Sequence, residues 1–131
     1  MANFDLSTSL KGVGVDCTRI SRFAEFNDVI RERLAQEILS EDEYREYEKS
    51  KNRPKRLACF FCYKEAVAKA LGTGFSEFGF PDIVIKKDEK NRPFVLLKDK
   101  AARVAKKKGI SAVKVSLTHE GDLIIAFAIS V

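Results

Sequence analysis

The chain predicts a small single domain of the α+β class, with an antiparallel-rich sheet packed on one long buried helix. Three observations predict it. Strand-like and helix-like stretches do not alternate regularly: one strand comes first, helices follow, and short strands with hairpin turns close the chain. One stretch, residues 57–74, is apolar nearly all round from Leu57 to Leu71 and reads as a helix buried on most sides. The length of 131 residues suffices for one domain with a real core and not for two ordinary ones.

Residues 1–10 are polar and patternless and are expected to form a flexible tail, leaving 11–131 as the domain. In Lys11–Asp16, Val13 and Val15 alternate with Gly12 and Gly14. That fits a strand which another element approaches closely, with Asp16 ending it. From Thr18 to Gln36 the apolar positions Ile20, Phe23, Phe26, Ile30 and Leu34 fall at helical spacing. Arg19, Arg22, Arg31 and Arg33 occupy the other faces, which make either a solvated surface or a docking surface for an acidic partner. Ser40-Glu-Asp-Glu43 has the pattern of a capping box and starts a helix running to about Lys49. Lys49, Lys51, Arg53, Lys55 and Arg56 surround Pro54 in a basic loop, suited to phosphate or simply solvated.

The central helix has no internal Gly or Pro, and Gly72 and Gly74 stand where a C-terminal cap belongs. Lys64, Glu65 and Lys69 are its charges and are read as sharing one sector. Charges on a buried helix face a cleft, or else Glu65 and Lys69 form a surface ion pair; the residues alone leave both readings open. Beyond a loop with Gly79, strands are expected at Pro81–Lys86 and Pro93–Leu97 around a turn at Asp88–Asn91. A basic helix spans Ala101–Lys107, stopped by Gly109. A strand carrying Val113, Val115 and Leu117 on one face turns at His119–Asp122 into the last strand, Leu123–Val131. His119 is the one histidine; by position it is a turn or packing residue before it is a catalyst.

Composition is globular, 45% hydrophobic and 33% charged. The net charge of +5 favours acidic partners without choosing among them. No apolar run reaches the roughly 18 residues of a membrane span, so no membrane partner is expected. The first ten residues lack the basic start and apolar stretch of a signal peptide, so a cytoplasmic protein is expected. Cys17, Cys59 and Cys62 are an odd count, against a disulfide framework. Cys59-x-x-Cys62 has metal-like spacing but no second pair, and reads as small buried hydrophobes.

Two segments together resemble a known family. Gly12-Val-Gly-Val-Asp16-Cys-Thr-Arg-Ile20-Ser-Arg22-Phe23 resembles the first signature of the holo-acyl-carrier-protein synthases, the 4′-phosphopantetheinyl transferases of fatty-acid synthesis. Phe61-Cys-Tyr-Lys64-Glu65-Ala-Val-Ala-Lys69-Ala-Leu-Gly-Thr-Gly74 resembles the second. Ile38-Leu-Ser-Glu41, Asn91-Arg-Pro93 and Ser116-Leu-Thr-His119 echo the family in order. The resemblance implies that Asp16 and Glu65 hold Mg²⁺, and that a serine of apo acyl carrier protein attacks the β-phosphate of coenzyme A. Phosphopantetheine would move to that serine and 3′,5′-ADP would leave. The catalytic side chains implied are Glu65, Lys69 and His119, with Lys69 steadying the pyrophosphate charge. Lys55, Arg56, Lys69, the Gly72-Thr73-Gly74 turn and His119 would contact coenzyme A. Arg22 and Phe26 would meet the acidic carrier protein. Members of this size are similar in being homotrimers with active sites between subunits, so Asp16 and His119 would serve one site from different chains.

The chain departs from the family's pattern at Phe60, where an arginine is usual, and at Cys17, Cys62 and Tyr63. From another class, the alternative is a small basic binding module, for RNA or for coenzyme A or carrier protein without turnover. Lys106-Lys-Lys108 speaks for it. The lack of aromatics interleaved with basic residues speaks against a nucleic-acid partner.

Overall fold

The computed structural model describes residues 9–131, so the expected tail lies outside the described residues up to residue 8. In chain order the elements begin with strand β1 (Gly12–Arg19) and helices α1 (Ile20–Ala24), α2 (Asp28–Ile38), α3 (Glu41–Lys49) and α4 (Arg53–Leu71). A 3-10 turn (Phe80–Asp82), strands β2 (Ile83–Lys87) and β3 (Pro93–Leu97), helix α5 (Asp99–Lys107) and strands β4 (Val113–Glu120) and β5 (Leu123–Ser130) follow. β5 lies between β1 and β4 and pairs antiparallel with both; β2 and β3 form a separate antiparallel hairpin. The α+β class and the antiparallel pairing are those expected.

α4 is the spine. The Asn52 side chain accepts the Lys55 N–H at 3.2 Å and Pro54 occupies the first turn, where its missing N–H costs nothing. Gly72 ends the helix in the left-handed region, φ 81°. Strand alternation turns Ile124, Ala126, Ala128 and Ser130 of β5 inward, and all four are buried. These side chains are mostly small, so the helix sits close to the sheet. Ser130 Oγ donates to the Ala70 carbonyl at 2.8 Å, and a Cβ added to Gly14 would overlap the Ala66 carbonyl oxygen. That contact explains the glycines of β1.

The structure corrects several expectations. β1 does not end at Asp16 but continues to Arg19, so Asp16 sits within the strand opposite Ala126. The single helix expected over Thr18–Gln36 is two. The first starts at Ile20 because Asp122, at the β4–β5 turn, accepts from both the backbone N–H and the hydroxyl of Ser21, at 2.8 and 2.6 Å. Those bonds hold the Asp122 carboxyl below its ordinary range. The second starts where Asn27 accepts the Ile30 N–H, and Ile30 itself is exposed rather than in the core. The helical spacing runs through both because Ile20, Phe23, Phe26 and Leu34 all pack on the same core. The basic loop is shorter than expected, since α4 already begins at Arg53. The capping box at Ser40 and Glu43 is formed as expected.

Lys64 does not share a sector with Glu65 and Lys69. It is fully buried on another flank of α4. Its ammonium donates to Glu43 Oε1 at 2.6 Å and to the carbonyls of Ile38 and Phe80 at 2.7 and 3.2 Å. Glu43 in turn accepts the N–H of Ser40 and, at 2.7 Å, that of Ile85. One ion pair thereby ties α2, α3, the 3-10 turn and β2 to α4. Burial pulls the Lys64 ammonium below its ordinary value, and Glu43 pushes it back up.

Candidate active site

Asp16 of β1 faces α4, and Lys69 reaches across to it. Lys69 Nζ lies 3.2 Å from Asp16 Oδ1 and donates to the Val15 carbonyl at 2.8 Å. Glu65 is one helical turn before Lys69 on the same flank. Burial raises the Glu65 carboxyl above its ordinary range and the Asp16 charge raises it further, while Lys69 and Arg22 oppose the shift. The two carboxylates, Lys69 and Arg22 therefore act on one small volume. Lys69 pairs with Asp16, which removes the reading of a Glu65–Lys69 surface pair.

Among the described residues, the buried side-chain oxygens without a hydrogen-bond partner are Asp16 Oδ2 and Thr18 Oγ1. They are two residues apart on the face of β1 that meets α4. Behind them the Cys62 thiol is buried against the Asp16 carbonyl, 3.3 Å away. Burial first, and Asp16 next, push it up to about 12, so it stays a neutral packing group. Cys17, Cys59 and Cys62 are all free, as the odd count predicts. A buried oxygen left unpaired is costly. Here it is Asp16's second carboxylate oxygen, opposite a second carboxylate that is reluctant to ionise.

An aromatic cluster borders the carboxylates, and the sequence reading missed it. Phe61 lies against Phe23 at 5.4 Å and stacks on Phe80 at 5.8 Å between ring centroids. Phe80 stacks on Phe75 at 3.9 Å, and Phe26 packs edge-on against Phe23. The Arg22 guanidinium lies 5.2 Å from the Phe61 centroid, within cation–π reach. Arg22 is exposed and Phe26 half-buried, so both reach the surface, and the Arg22 charge acts on Glu65. The dense phenylalanines between Phe75 and Phe80 were the available signal, but nothing in their spacing links them to Phe61.

The structure does not bring the remaining candidates to Asp16 within one chain. His119, Lys55 and Arg56 line a separate pocket of about 650 Å³, with Phe60 and Tyr63 among its walls. Phe60, at the family's usual arginine position, is buried beside Lys55 and Arg56. Arg56 is bound to Glu46 at 3.0 Å. His119 is exposed on β4, in register with Ile124 and through it with Thr18. Two strand spacings sideways and two residues along place His119 about 12 Å from Asp16. The Gly72-Thr73-Gly74 turn stands one turn beyond Lys69. Thr73 faces a groove on the side of α5, and Lys108 donates to the Leu71 carbonyl at 2.8 Å.

The architecture and the site can be set beside known proteins. A family model described as the 4′-phosphopantetheinyl transferase superfamily matches residues 12–128. The holo-[acyl-carrier-protein] synthase of Clostridium kluyveri is 42% identical over 119 residues, 90% of this chain and 87% of that relative. The crystal structure of the holo-[acyl-carrier-protein] synthase from Neisseria meningitidis superposes with a TM-score of 0.86 at 29% identity, covering 93% of this chain and 98% of that one. The Helicobacter pylori enzyme, crystallised in complex with coenzyme A, superposes with a TM-score of 0.78 at 27% identity, over 91% and 99% of the two chains. These likenesses do not favour the small basic binding module. With its model matched from β1 to β5 and relatives above 30% identity over nearly its whole length, the chain belongs to the 4′-phosphopantetheinyl transferase superfamily, among the holo-[acyl-carrier-protein] synthases.

Proposed function

We propose that the chain moves 4′-phosphopantetheine from coenzyme A to a serine hydroxyl of apo acyl carrier protein and releases 3′,5′-ADP, using Asp16, Glu65 and Lys69. The observation that carries this assignment is the unpartnered, buried Asp16 Oδ2 opposite the raised carboxyl of Glu65. Two carboxylates short of a full shell suit Mg²⁺, which keeps water and takes phosphate oxygens as its other ligands. Among the described residues no cluster of three or more His, Cys, Asp or Glu offers a rival cage. Asp16 and Glu65 would hold the ion, which when bound offsets phosphate charge and eases loss of the hydroxyl proton.

The protein's own groups account for the rest. Lys69 turns from Asp16 to the phosphate oxygens where charge grows in the transition state. Glu65, whose carboxyl is raised above its ordinary range by burial and by the Asp16 charge, takes the serine proton directly or through water. The serine oxygen bonds to the β-phosphorus, the bond to the bridging oxygen breaks, and the electron pair leaves with 3′,5′-ADP. Arg22 and Phe26 present charge and ring surface to the carrier protein beside Glu65. Lys55, Arg56 and His119 meet the charged parts of coenzyme A, the first two standing in for the arginine that Phe60 replaces. The backbone of Gly72-Thr73-Gly74 lies along the nucleotide.

A homotrimer with sites between subunits completes this reading. The outer face of β1 and β5 exposes Val13, Val15, Ile125 and Phe127, and Val15 pairs with Phe127. An apolar strip of this kind is suited to cover by another copy. It would bring a neighbour's His119 to the Asp16 that its own chain cannot reach. No helix among the described residues is long and apolar enough to cross a membrane. The free thiols fit the reducing cytoplasm, where we place the reaction.

Intact mass is the test. Protein, apo carrier protein, coenzyme A and Mg²⁺ are expected to give a carrier heavier by one phosphopantetheine. The gain should vanish with EDTA and with Glu65→Ala. A folded protein that leaves a competent carrier unmodified would refute the reading.

A further inference from the structure

The net positive charge of this chain is concentrated in one place. Residues 98–108 carry Lys98, Lys100, Arg103, Lys106, Lys107 and Lys108 against the single acid Asp99. That is a net +5, equal to the charge of the whole chain, so the other residues sum to zero. α5 turns Ala101 and Ala105 into the core. This leaves Lys100, Arg103 and Lys107 on one exposed face at helical spacing. Among the described residues none of the six cations takes part in an ion pair, a condition shared by scattered cations such as Arg33 and Lys114; their density is what distinguishes this segment. Like charges held together without counterions repel, and an acidic partner relieves the cost.

The face is fixed relative to the site. Lys100, Arg103, Lys107 and Lys108 line a groove of about 530 Å³ whose other wall is Thr73 and Glu77, on the loop that leaves α4. Lys108, which follows α5, fastens it to the Leu71 carbonyl in the last turn of α4, the turn that also carries Lys69. α5 also packs on the 3-10 turn whose Phe80 belongs to the aromatic cluster under Arg22. The cationic face and the aromatic cluster are thus joined through two contacts.

We infer that the Lys100–Arg103–Lys107 face of α5 is a second docking surface for the acidic carrier protein, separate from Arg22 and Phe26. The inference rests on the transferase reading. The face runs about 10 Å along the helix, a length that fits a row of acidic side chains rather than one phosphate. Its cations are exposed, which suits steering and reversible docking more than the enclosed cradle of a nucleotide. Glu77, the one carboxylate in the groove, disfavours a compact phosphate seated at its floor.

The test uses the full chain with Lys100, Arg103 and Lys107 all changed to Glu, and a second variant with all three changed to Gln, each checked by circular dichroism. With carrier protein varied at low salt, kcat/KM is expected to fall about tenfold in the Glu variant and less in the Gln variant. The loss should shrink at high salt. KM for coenzyme A and kcat at saturating carrier should stay unchanged. An unchanged KM for carrier, or a raised KM for coenzyme A, overturns the inference. Fluorescence anisotropy of labelled apo carrier protein against the same proteins reads docking without turnover. Equal affinities there overturn the inference, while an inactive wild type that still binds more tightly than the Glu variant refutes only the transferase reading.

Discussion

Lys64→Met offers the sharpest test of how the fold holds its spine. Lys64 and Glu43 are 0% and 2% exposed, and the pair supports four backbone groups besides itself. Methionine nearly conserves volume, so the cavity contribution is small. What remains is a buried Glu43 carboxylate without its cation and two carbonyls without their donor. Breaking a buried pair from one side costs about 3–5 kcal/mol. For a chain of this length, that is a drop in Tm of about 10–20 °C. Replacing both partners, as Lys64→Met with Glu43→Leu, removes the stranded charge. For many buried pairs that change is neutral or stabilising. Here it still leaves the N–H groups of Ser40 and Ile85 and the carbonyls of Ile38 and Phe80 without partners, at about 1–3 kcal/mol for each fully buried group. The double variant is therefore expected to recover part of the loss and stay at least about 2 kcal/mol below the wild type. Calorimetry or chemical denaturation of the three proteins reads this directly. A double variant as stable as the wild type would refute the claim that the pair works through backbone groups.

Other expectations follow from the site. Burial and Asp16 hold the Glu65 carboxyl above its ordinary 4.5, so its penalty is absent at low pH and grows as pH rises through the folded value. Without metal, Glu65→Gln should melt above the wild type at neutral pH and match it near pH 4, and Mg²⁺ should stabilise only the wild type; scanning fluorimetry with the opposite order would reject the assignment. Arg22→Glu should raise KM for carrier protein far more than that for coenzyme A, and equal effects in steady-state assays would count against the docking role. Asp16→Asn and His119→Ala, each inactive alone, should recover about a quarter of wild-type activity when their subunits are mixed equally, as sites between copies require; no recovery after verified exchange would place both residues in one chain's site. Gly14→Ala should destabilise by about 1–3 kcal/mol or prevent folding, because its Cβ meets the Ala66 carbonyl, and an unchanged Tm would show that α4 can shift.

Much of this was legible in the sequence, for identifiable reasons. The capping box, the buried helix with its glycine cap and the alternating β4 each rest on local chemistry, and each stands in the structure. Elements set by distant contacts were not legible. Nothing near Thr18 signals that Asp122, far along the chain, starts α1 by accepting from Ser21. The grouping of Lys64 with Glu65 failed because one residue turns a helix by about 100°, enough to send neighbours to different flanks. The resemblance pointed to Asp16 and Glu65, but the aromatic cluster was not legible, since it joins α1, α4 and the 3-10 turn only in space.

Lys64 and Glu65 are adjacent on one helix, and the contrast between them separates structure from chemistry. Burial alone does not, because Lys64 is the more buried of the two. Satisfaction does. Lys64 gives its ammonium to three oxygens, and Glu43 accepts two backbone N–H groups besides. Both charges there are answered inside the protein. Across the helix, Asp16 keeps an unpaired buried oxygen, Glu65 is held away from its preferred charge, and Lys69 remains half exposed on a single carboxylate contact. Each of those three conditions would be relieved by a divalent cation and a phosphate, and by nothing else the chain places there. The same criterion points to α5 and its flanks, where six cations stand against one acid and, among the described residues, none is in an ion pair. In this fold the places left electrostatically incomplete are the ones assigned to metal, nucleotide and carrier protein.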